Sequence, residues 1–103
     1  MERRRHERHD LSSPVIFVWG NSDACRGVGV TRDFSAGGLF VFTEDLPTVG
    51  TSLQFAVNLA VPEGGPGLIV RGKGQVKRVE IADSMGRRGG FAATTGRMKL
   101  EKA

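Results

Sequence analysis

Two short polar motifs in this sequence carry the residue types from which hydrogen-bonding sites for anions and nucleobases are built. Arg4 and Arg8 form an Arg-x-x-x-Arg motif near the start of the chain. Asp33, Ser35 and Gly38 form an Asp-x-Ser-x-x-Gly motif further along it. Guanidinium groups donate paired hydrogen bonds to phosphate oxygens and to the O6/N7 edge of guanine. A carboxylate accepts hydrogen bonds from N–H groups such as N1 and N2 of guanine. The two motifs are therefore chemically complementary to one kind of ligand.

The second motif gives each of its residues a separate role. Asp33 can accept from the N1 and N2 hydrogens of guanine, a pairing that adenine cannot satisfy. Ser35 can donate to a phosphate oxygen. Gly37 and Gly38 permit a positive φ and a close approach of the backbone to a ligand. These residues predict a loop that contacts both the base and the phosphate.

Each motif also has a purely structural explanation. Arg3, Arg5 and His6 surround the first motif, so a solvated basic segment would produce the same pattern. Asp and Ser next to glycine commonly hydrogen-bond their own backbone in a turn, which would explain the second motif. The order of the two motifs along one chain, ahead of a run of short strands, favours the ligand-binding interpretation.

The composition is that of one small globular domain with an excess of positive charge. The chain has 103 residues and a formal net charge of +4. Its apolar runs are too short to cross a bilayer, and no apolar segment follows the basic start as in a secretory signal. A single cysteine, Cys25, excludes an internal disulfide, fits a cytoplasmic location, and is interpreted as a half-buried strand residue.

Positive charge is concentrated in two segments. Four arginines fall within residues 3–8, and a second group consists of Arg71, Lys73, Lys77 and Arg78. A nucleotide, a phosphate-bearing surface or a nucleic acid would each suit this distribution. Charge alone therefore does not identify the partner.

Period-two alternation predicts six β-strands and no helix. The predicted strands cover residues 15–19, 25–32, 39–43, 53–60, 68–82 and 90–96. Fifteen glycines and regularly spaced turns favour an all-β, antiparallel barrel. Residues 1–10 are expected to form a flexible arm, residues 11–97 the barrel, and residues 98–103 a short tail with little or no C-terminal helix.

The fifth predicted strand contains a fault in its alternation. Val70 and Val76 share one phase, whereas Val79 and Ile81 occupy the other. A β-bulge produces a shift of this kind, and glycines such as Gly72 and Gly74 would allow the strand to bend sharply. We therefore predict a bulge after Val76.

The segments Arg3-Arg4-Arg5-His6-Glu7-Arg8 and Asp33-Phe34-Ser35-Ala36-Gly37-Gly38-Leu39-Phe40 resemble the PilZ family, whose members are small β-barrels that bind cyclic di-GMP. The resemblance covers nearly the whole chain. It implies a six-stranded PilZ-type barrel, and the family's ligand-binding positions match Arg4, Arg8, Asp33, Ser35 and Gly38 of this sequence. Glu7 is a departure, since members often carry proline before the second arginine. How Glu7 affects binding stays open.

The resemblance implies a cyclic di-GMP receptor that does no chemistry. We expect the N-terminal arm to fold over the ligand, and the domain to signal through a protein partner of unknown identity as a monomer or a ligand-modulated dimer. Family members bind one or two copies of the messenger. Arg3 can either stack on a second copy or remain solvated.

Other functions receive less support from the sequence. No enzyme is expected, because paired carboxylates and a nucleophile with its base are missing from the sequence pattern. His6 and His9 lack further ligands, so neither a metal nor a cofactor is expected. A PilZ-like adaptor that binds only protein remains an alternative. A basic nucleic-acid-binding barrel is another, but no aromatic residue lies between Arg71, Lys73 and Lys77, so nucleic acid is not the expected partner.

Overall fold

The protein is an antiparallel β structure in which no helix occurs among the described residues. The computed structural model describes residues 12–20, 25–60 and 66–102. Its strands are β1 (Pro14–Trp19), β2 (Cys25–Phe34), β3 (Gly38–Phe42), β4 (Ser52–Leu59), β5 (Leu68–Glu80), β6 (Gly90–Thr94) and β7 (Met98–Lys102). Within these ranges the structure has no helix of the length and apolarity needed to cross a membrane. Arg3, Arg4, Arg8 and both histidines lie outside the described residues.

Six of the strands close into the predicted antiparallel barrel. Strand β1 lies between β2 and β4, β3 lies between β2 and β6, and β5 pairs with both β6 and β4. The pairing of β4 with β5 closes the cylinder. The fold predicted from the alternation is confirmed.

The seventh strand was not expected from the sequence. Residues 98–102 were predicted from the sequence to be part of a tail. In the structure they pair with residues 68–72 of β5. Strand β6 pairs with β5 from residue 76 onward, so β6 and β7 follow each other along the same edge of β5. Met-Lys-Leu-Glu-Lys is too short and too charged to predict a strand, and it becomes one because β5 offers a free edge.

The interior is filled by alternate residues of the barrel strands, as period two requires. The core consists of Val15, Phe17, Phe34, Leu39, Val41, Leu53, Phe55, Val57, Val70, Val76, Phe91 and Ala93. At its centre the rings of Phe17 and Phe91 meet edge to face, with centroids 5.0 Å apart. Complete burial of one such side chain contributes about 1.5–3 kcal/mol, so this cluster is the main source of stability.

Two glycines of β5 allow neighbouring groups to approach this strand closely. A Cβ at Gly72 would lie 2.7 Å from the Phe55 ring, and one at Gly74 would overlap the carbonyl oxygen of Thr94. Neither Gly72 nor Gly74 has a positive φ. Among the described glycines, a positive φ occurs at Gly20, Gly50 and Gly86. The glycines of β5 are therefore required by packing rather than by backbone conformation.

The interpretation of Cys25 as half-buried is wrong. Cys25 is exposed at the first residue of β2, opposite Trp19 of β1. The alternation of β2 does not reveal this, because glycines at positions 27 and 29 remove the apolar residues that would identify the inner face.

Candidate functional site

A β-bulge near the end of β2 places two charged side chains side by side. Thr31 pairs with Val41 and Asp33 pairs with Phe40, so Arg32 is the extra residue. In an unbulged strand, neighbouring side chains would point to opposite faces. Here the Arg32 Nε donates a hydrogen bond of 2.9 Å to the Asp33 carboxylate. The carboxylate predicted to bind guanine is therefore engaged by a neighbouring guanidinium.

The second bulge is the one predicted in β5, and it aligns another arginine with the same site. Val76 pairs with Ala93 and Arg78 with Ala92, which makes Lys77 the extra residue. The register across the sheet then forms one row: Asp33, Phe40, Ala92 and Arg78. Asp33 and Arg78 thus stand on either side of Phe40 and Ala92 on the outer surface of the barrel.

Phe40 is buried beneath these arginines rather than in the barrel core. It is 2% exposed but does not belong to the core cluster. The guanidinium carbon of Arg32 lies 4.0 Å from its ring centroid, and that of Arg78 lies 5.9 Å away. Cation–π attraction at these distances holds both guanidiniums against the ring. The result is a surface with ordered positive charge beside the Asp33 carboxylate.

The loop of the Asp-x-Ser-x-x-Gly motif is a turn held by its own serine. The backbone N–H of Ser35 donates to the carbonyl of Gly38 at 2.9 Å. The Ser35 hydroxyl lies 3.4 Å from both the Gly38 carbonyl and the Gly37 nitrogen. These hydroxyl contacts are long for hydrogen bonds, so the hydroxyl can turn toward a ligand oxygen at small cost. The turn and the ligand-binding interpretations are therefore compatible.

Gly37 and Gly38 differ in the space that surrounds their backbone. Neither Gly37 nor Gly38 has the positive φ that the sequence allowed. A Cβ at Gly38 would lie 3.2 Å from the carbonyl oxygen of Ala93, so Gly38 lets β3 approach β6. Nothing lies within 4 Å of a Cβ at Gly37, which leaves open space beside its backbone. A side chain at residue 37 would therefore meet no neighbour, whereas one at residue 38 would press on β6.

Thr95 fixes the loop from a distant part of the chain. Its hydroxyl donates a 2.6 Å hydrogen bond to the carbonyl of Ala36 and lies 3.5 Å from the carbonyl of Ser35. The side chain is buried, and it stands in the short connection between β6 and β7. No local sequence signal links Thr95 to the motif, because the contact exists only once β3 and β6 have paired.

These elements together form a shallow cleft on the outer surface. Its volume is about 310 Å³, and it is lined by Arg32, Asp33, Phe34, Ser35, Gly38, Leu39, Phe40, Arg78, Ala92 and Ala93. Asp33, Ser35 and Gly38 of the motif all line this cleft, and so do Arg32 and Arg78, which lie at the two bulges. This volume is at the lower end of the range for ligand pockets. No cluster of three or more potential metal-ligating side chains occurs within residues 12–20, 25–60 and 66–102.

Comparisons with known proteins identify the fold and the family. A search of curated proteins finds no match. The structure is similar to the solved structure of Bacillus subtilis inhibitor of motility (MotI/DgrA), with a TM-score of 0.70 and 19% sequence identity. The match covers 96% of this chain and 45% of that one, so this chain spans less than half of MotI/DgrA. The family model of the PilZ domain matches residues 2–96, a range that includes both motifs. The chain therefore belongs to the PilZ family.

Proposed function

We propose that this domain is a cyclic di-GMP receptor that binds the messenger in the cleft between the two bulges. The observation that carries the proposal is the row formed by Asp33, Phe40, Ala92 and Arg78 beside the Ser35 loop. It offers a carboxylate and a guanidinium on one surface, with a hydroxyl at its edge. Guanine and phosphate require these complementary groups in close proximity.

In this proposal Asp33 selects the base. Its carboxylate accepts from N1 and N2 of guanine, and the Arg32 guanidinium either shares the carboxylate or swings away toward a phosphate. The Arg32–Asp33 pair joins side chains that are 42% and 24% exposed. Surface ion pairs of this kind contribute about 0–1 kcal/mol, so a ligand can rearrange the pair at small cost.

The N-terminal arm would bring Arg4 and Arg8 to the cleft, in addition to Arg32 and Arg78, which line it. Ser13 lies at the base of the arm, and two hydrogen bonds join it to Thr31: its N–H donates to the Thr31 hydroxyl at 3.1 Å, and its carbonyl accepts from the Thr31 N–H at 2.9 Å. Thr31 is two residues before Asp33. At about 3.3–3.6 Å per residue, Arg8 can reach about 18 Å from Ser13 and Arg4 about 32 Å. Both arginines can therefore reach a ligand held at the cleft.

Ligand binding then becomes a signal when the arm folds over the messenger. A cleft of about 310 Å³ encloses a dinucleotide only in part. Ordering the arm would cover the remainder and change the surface that a protein partner meets. The solved neighbour is named an inhibitor of motility, and we propose a regulatory output for this domain as well. We propose a cytoplasmic location for the receptor, which the single cysteine fits.

A protein-binding adaptor without a nucleotide is the second candidate. Two contacts favour it: Asp33 is engaged by Arg32, and Ser35 is used within its own turn. In an adaptor these residues would serve the fold alone.

Isothermal titration calorimetry with cyclic di-GMP, GTP and single-stranded DNA separates the candidates. The receptor binds cyclic di-GMP in preference to the other two. Each bidentate arginine contact is worth about 1–3 kcal/mol, so Arg4→Ala and Arg8→Ala should each weaken binding about ten-fold or more. Binding of none of the three would favour the adaptor, and preference for DNA would favour a nucleic-acid-binding barrel.

A further inference from the structure

A second recess lies on the outer face of the barrel, formed by β1, β4, β5 and β7. We call it the β1–β5 groove. Its lining consists of Ile16, Phe17, Val18, Gln54, Phe55, Ala56, Arg71, Gly72, Lys73, Gly96, Arg97 and Lys99, and its volume is about 550 Å³. It shares no lining residue with the cleft beside Asp33.

The floor of the groove continues into an exposed apolar strip. Register across the sheet places Ile16 beside Val28 on one side and Ala56 on the other. Ile16 is 55% exposed and Val28 is 62% exposed. Two large aliphatic side chains thus meet solvent on adjacent strands. Contiguous exposed apolar surface rimmed by polar residues is typical of an interaction site.

The rim of the groove is cationic. Arg71, Lys73, Arg97 and Lys99 all line it, and the lining contains no carboxylate. Glu101, just outside the lining, accepts a 3.1 Å hydrogen bond from Arg71. Lys73 and Lys99 are exposed, and the register sets Lys99 directly opposite Arg71. Like charges across a strand pair are unfavourable, so an incoming anion would stabilise this arrangement.

We infer that the β1–β5 groove docks an acidic, amphipathic segment of a partner protein. The aliphatic strip would receive its apolar side chains, and the four cations would face its carboxylates. Nucleic acid fits less well because the aromatic residues of the groove, Phe17 and Phe55, are 1% and 4% exposed and offer no stacking surface. A lipid surface is flat and meets a recessed apolar floor poorly. This inference goes beyond the proposed function and holds whether or not the cleft binds a nucleotide.

The test uses a defined peptide and two charge-matched double variants. The probe is a capped peptide of alternating glutamate and leucine, and its partner is the same peptide with glutamine in place of glutamate. Lys73→Glu/Lys99→Glu changes one lysine of β5 and one of β7 on the rim. Lys77→Glu/Lys102→Glu makes the same charge change on the same two strands outside the lining.

Binding is measured by nuclear magnetic resonance titration of the full chain. The Glu/Leu peptide should shift the amide resonances of Ile16 and Val28, and the Gln/Leu peptide should not. The rim variant should weaken binding at least about ten-fold, whereas the matched variant should retain it. Asp33→Ala, which addresses nucleotide binding, should leave the peptide shifts unchanged.

Three results would overturn the inference. One is a lack of shifts with the Glu/Leu peptide up to about 1 mM. Another is an equal loss in the two lysine variants, which would show that only net charge matters. The third is displacement of the peptide from Ile16 and Val28 by oligothymidine or by phosphatidylglycerol vesicles, which would assign the groove to nucleic acid or to a membrane.

Discussion

Thr95 should control the loop of the Asp-x-Ser-x-x-Gly motif through a single hydrogen bond. Its hydroxyl donates to the Ala36 carbonyl at 2.6 Å, and Ala36 lies between Ser35 and Gly38 of the motif. Thr95→Val keeps the shape of the side chain and removes only the donor. Thr95→Ser keeps the donor and removes a methyl group. Comparison of the two variants separates the hydrogen bond from packing.

The magnitude follows from the surroundings of the acceptor. Ala36 is exposed, so water can replace the lost donor and the full penalty for a buried unpaired carbonyl does not apply. The loss is then that of an ordinary hydrogen bond, about 0.5–1.5 kcal/mol. For a domain of this size each kcal/mol lowers Tm by about 4–8 °C, so Thr95→Val should lower Tm by roughly 2–12 °C.

Thr95→Val should also weaken the binding of cyclic di-GMP. In Thr95→Val the loop samples open conformations, and it must close before cyclic di-GMP can bind. This closure costs about 0.5–1.5 kcal/mol of binding free energy. The Kd should therefore rise about two- to twelve-fold. Calorimetric unfolding and ligand titration measure the two effects. Thr95→Ser should stay close to the wild type in both. If Thr95→Val matched the wild type, or if Thr95→Ser lost as much as Thr95→Val, the assigned role of the hydroxyl would be refuted.

Three further predictions concern the glycines, the arm and the stoichiometry. Gly74→Ala should destabilise the domain by about 1–3 kcal/mol or more in chemical denaturation, because its Cβ would overlap the Thr94 carbonyl, whereas Gly37→Ala, with open space around it, should change stability by less than about 1 kcal/mol. Amide exchange of residues 3–9 should be fast without ligand and slow with it, and an arm protected in the free protein would rule out the folding-over mechanism. Calorimetry should find two cyclic di-GMP molecules per chain, falling towards one in Arg3→Ala, if Arg3 stacks on a second guanine; one per chain in the wild type would show that Arg3 is solvated instead.

Alternation was sufficient to predict the barrel, and for a physical reason. Strand β4 alternates Leu53, Phe55 and Val57 with polar or small residues, and the structure buries all three. In β5 the change of apolar phase between Val76 and Val79 predicted the bulge that the register shows at Lys77. Both signals are local, since they depend only on which face of one strand meets the core.

The parts that sequence reasoning missed depend on contacts between distant segments. The bulge at Arg32 was missed because Gly27 and Gly29 remove the apolar phase that would reveal a shift in β2. The role of Thr95 arises only after β3 and β6 pair. Residues 98–102 become a strand because β5 extends beyond β6 and leaves an edge to fill. The motif residues were predicted from their chemistry. Arg32 and Arg78, which line the same cleft, were not, because single arginines carry no spacing signal.

The measurement that most directly tests the account compares cyclic di-GMP with cyclic di-AMP on the wild type and on Asp33→Ala. In the proposed complex the Asp33 carboxylate accepts from guanine N1 and N2, and adenine offers no equivalent pair of donors. The wild type should therefore prefer cyclic di-GMP by about ten-fold or more, and Asp33→Ala should lose most of that preference while its Tm stays within a few degrees of the wild type. Equal affinity of the wild type for the two dinucleotides, or an unchanged preference in Asp33→Ala, would contradict the account.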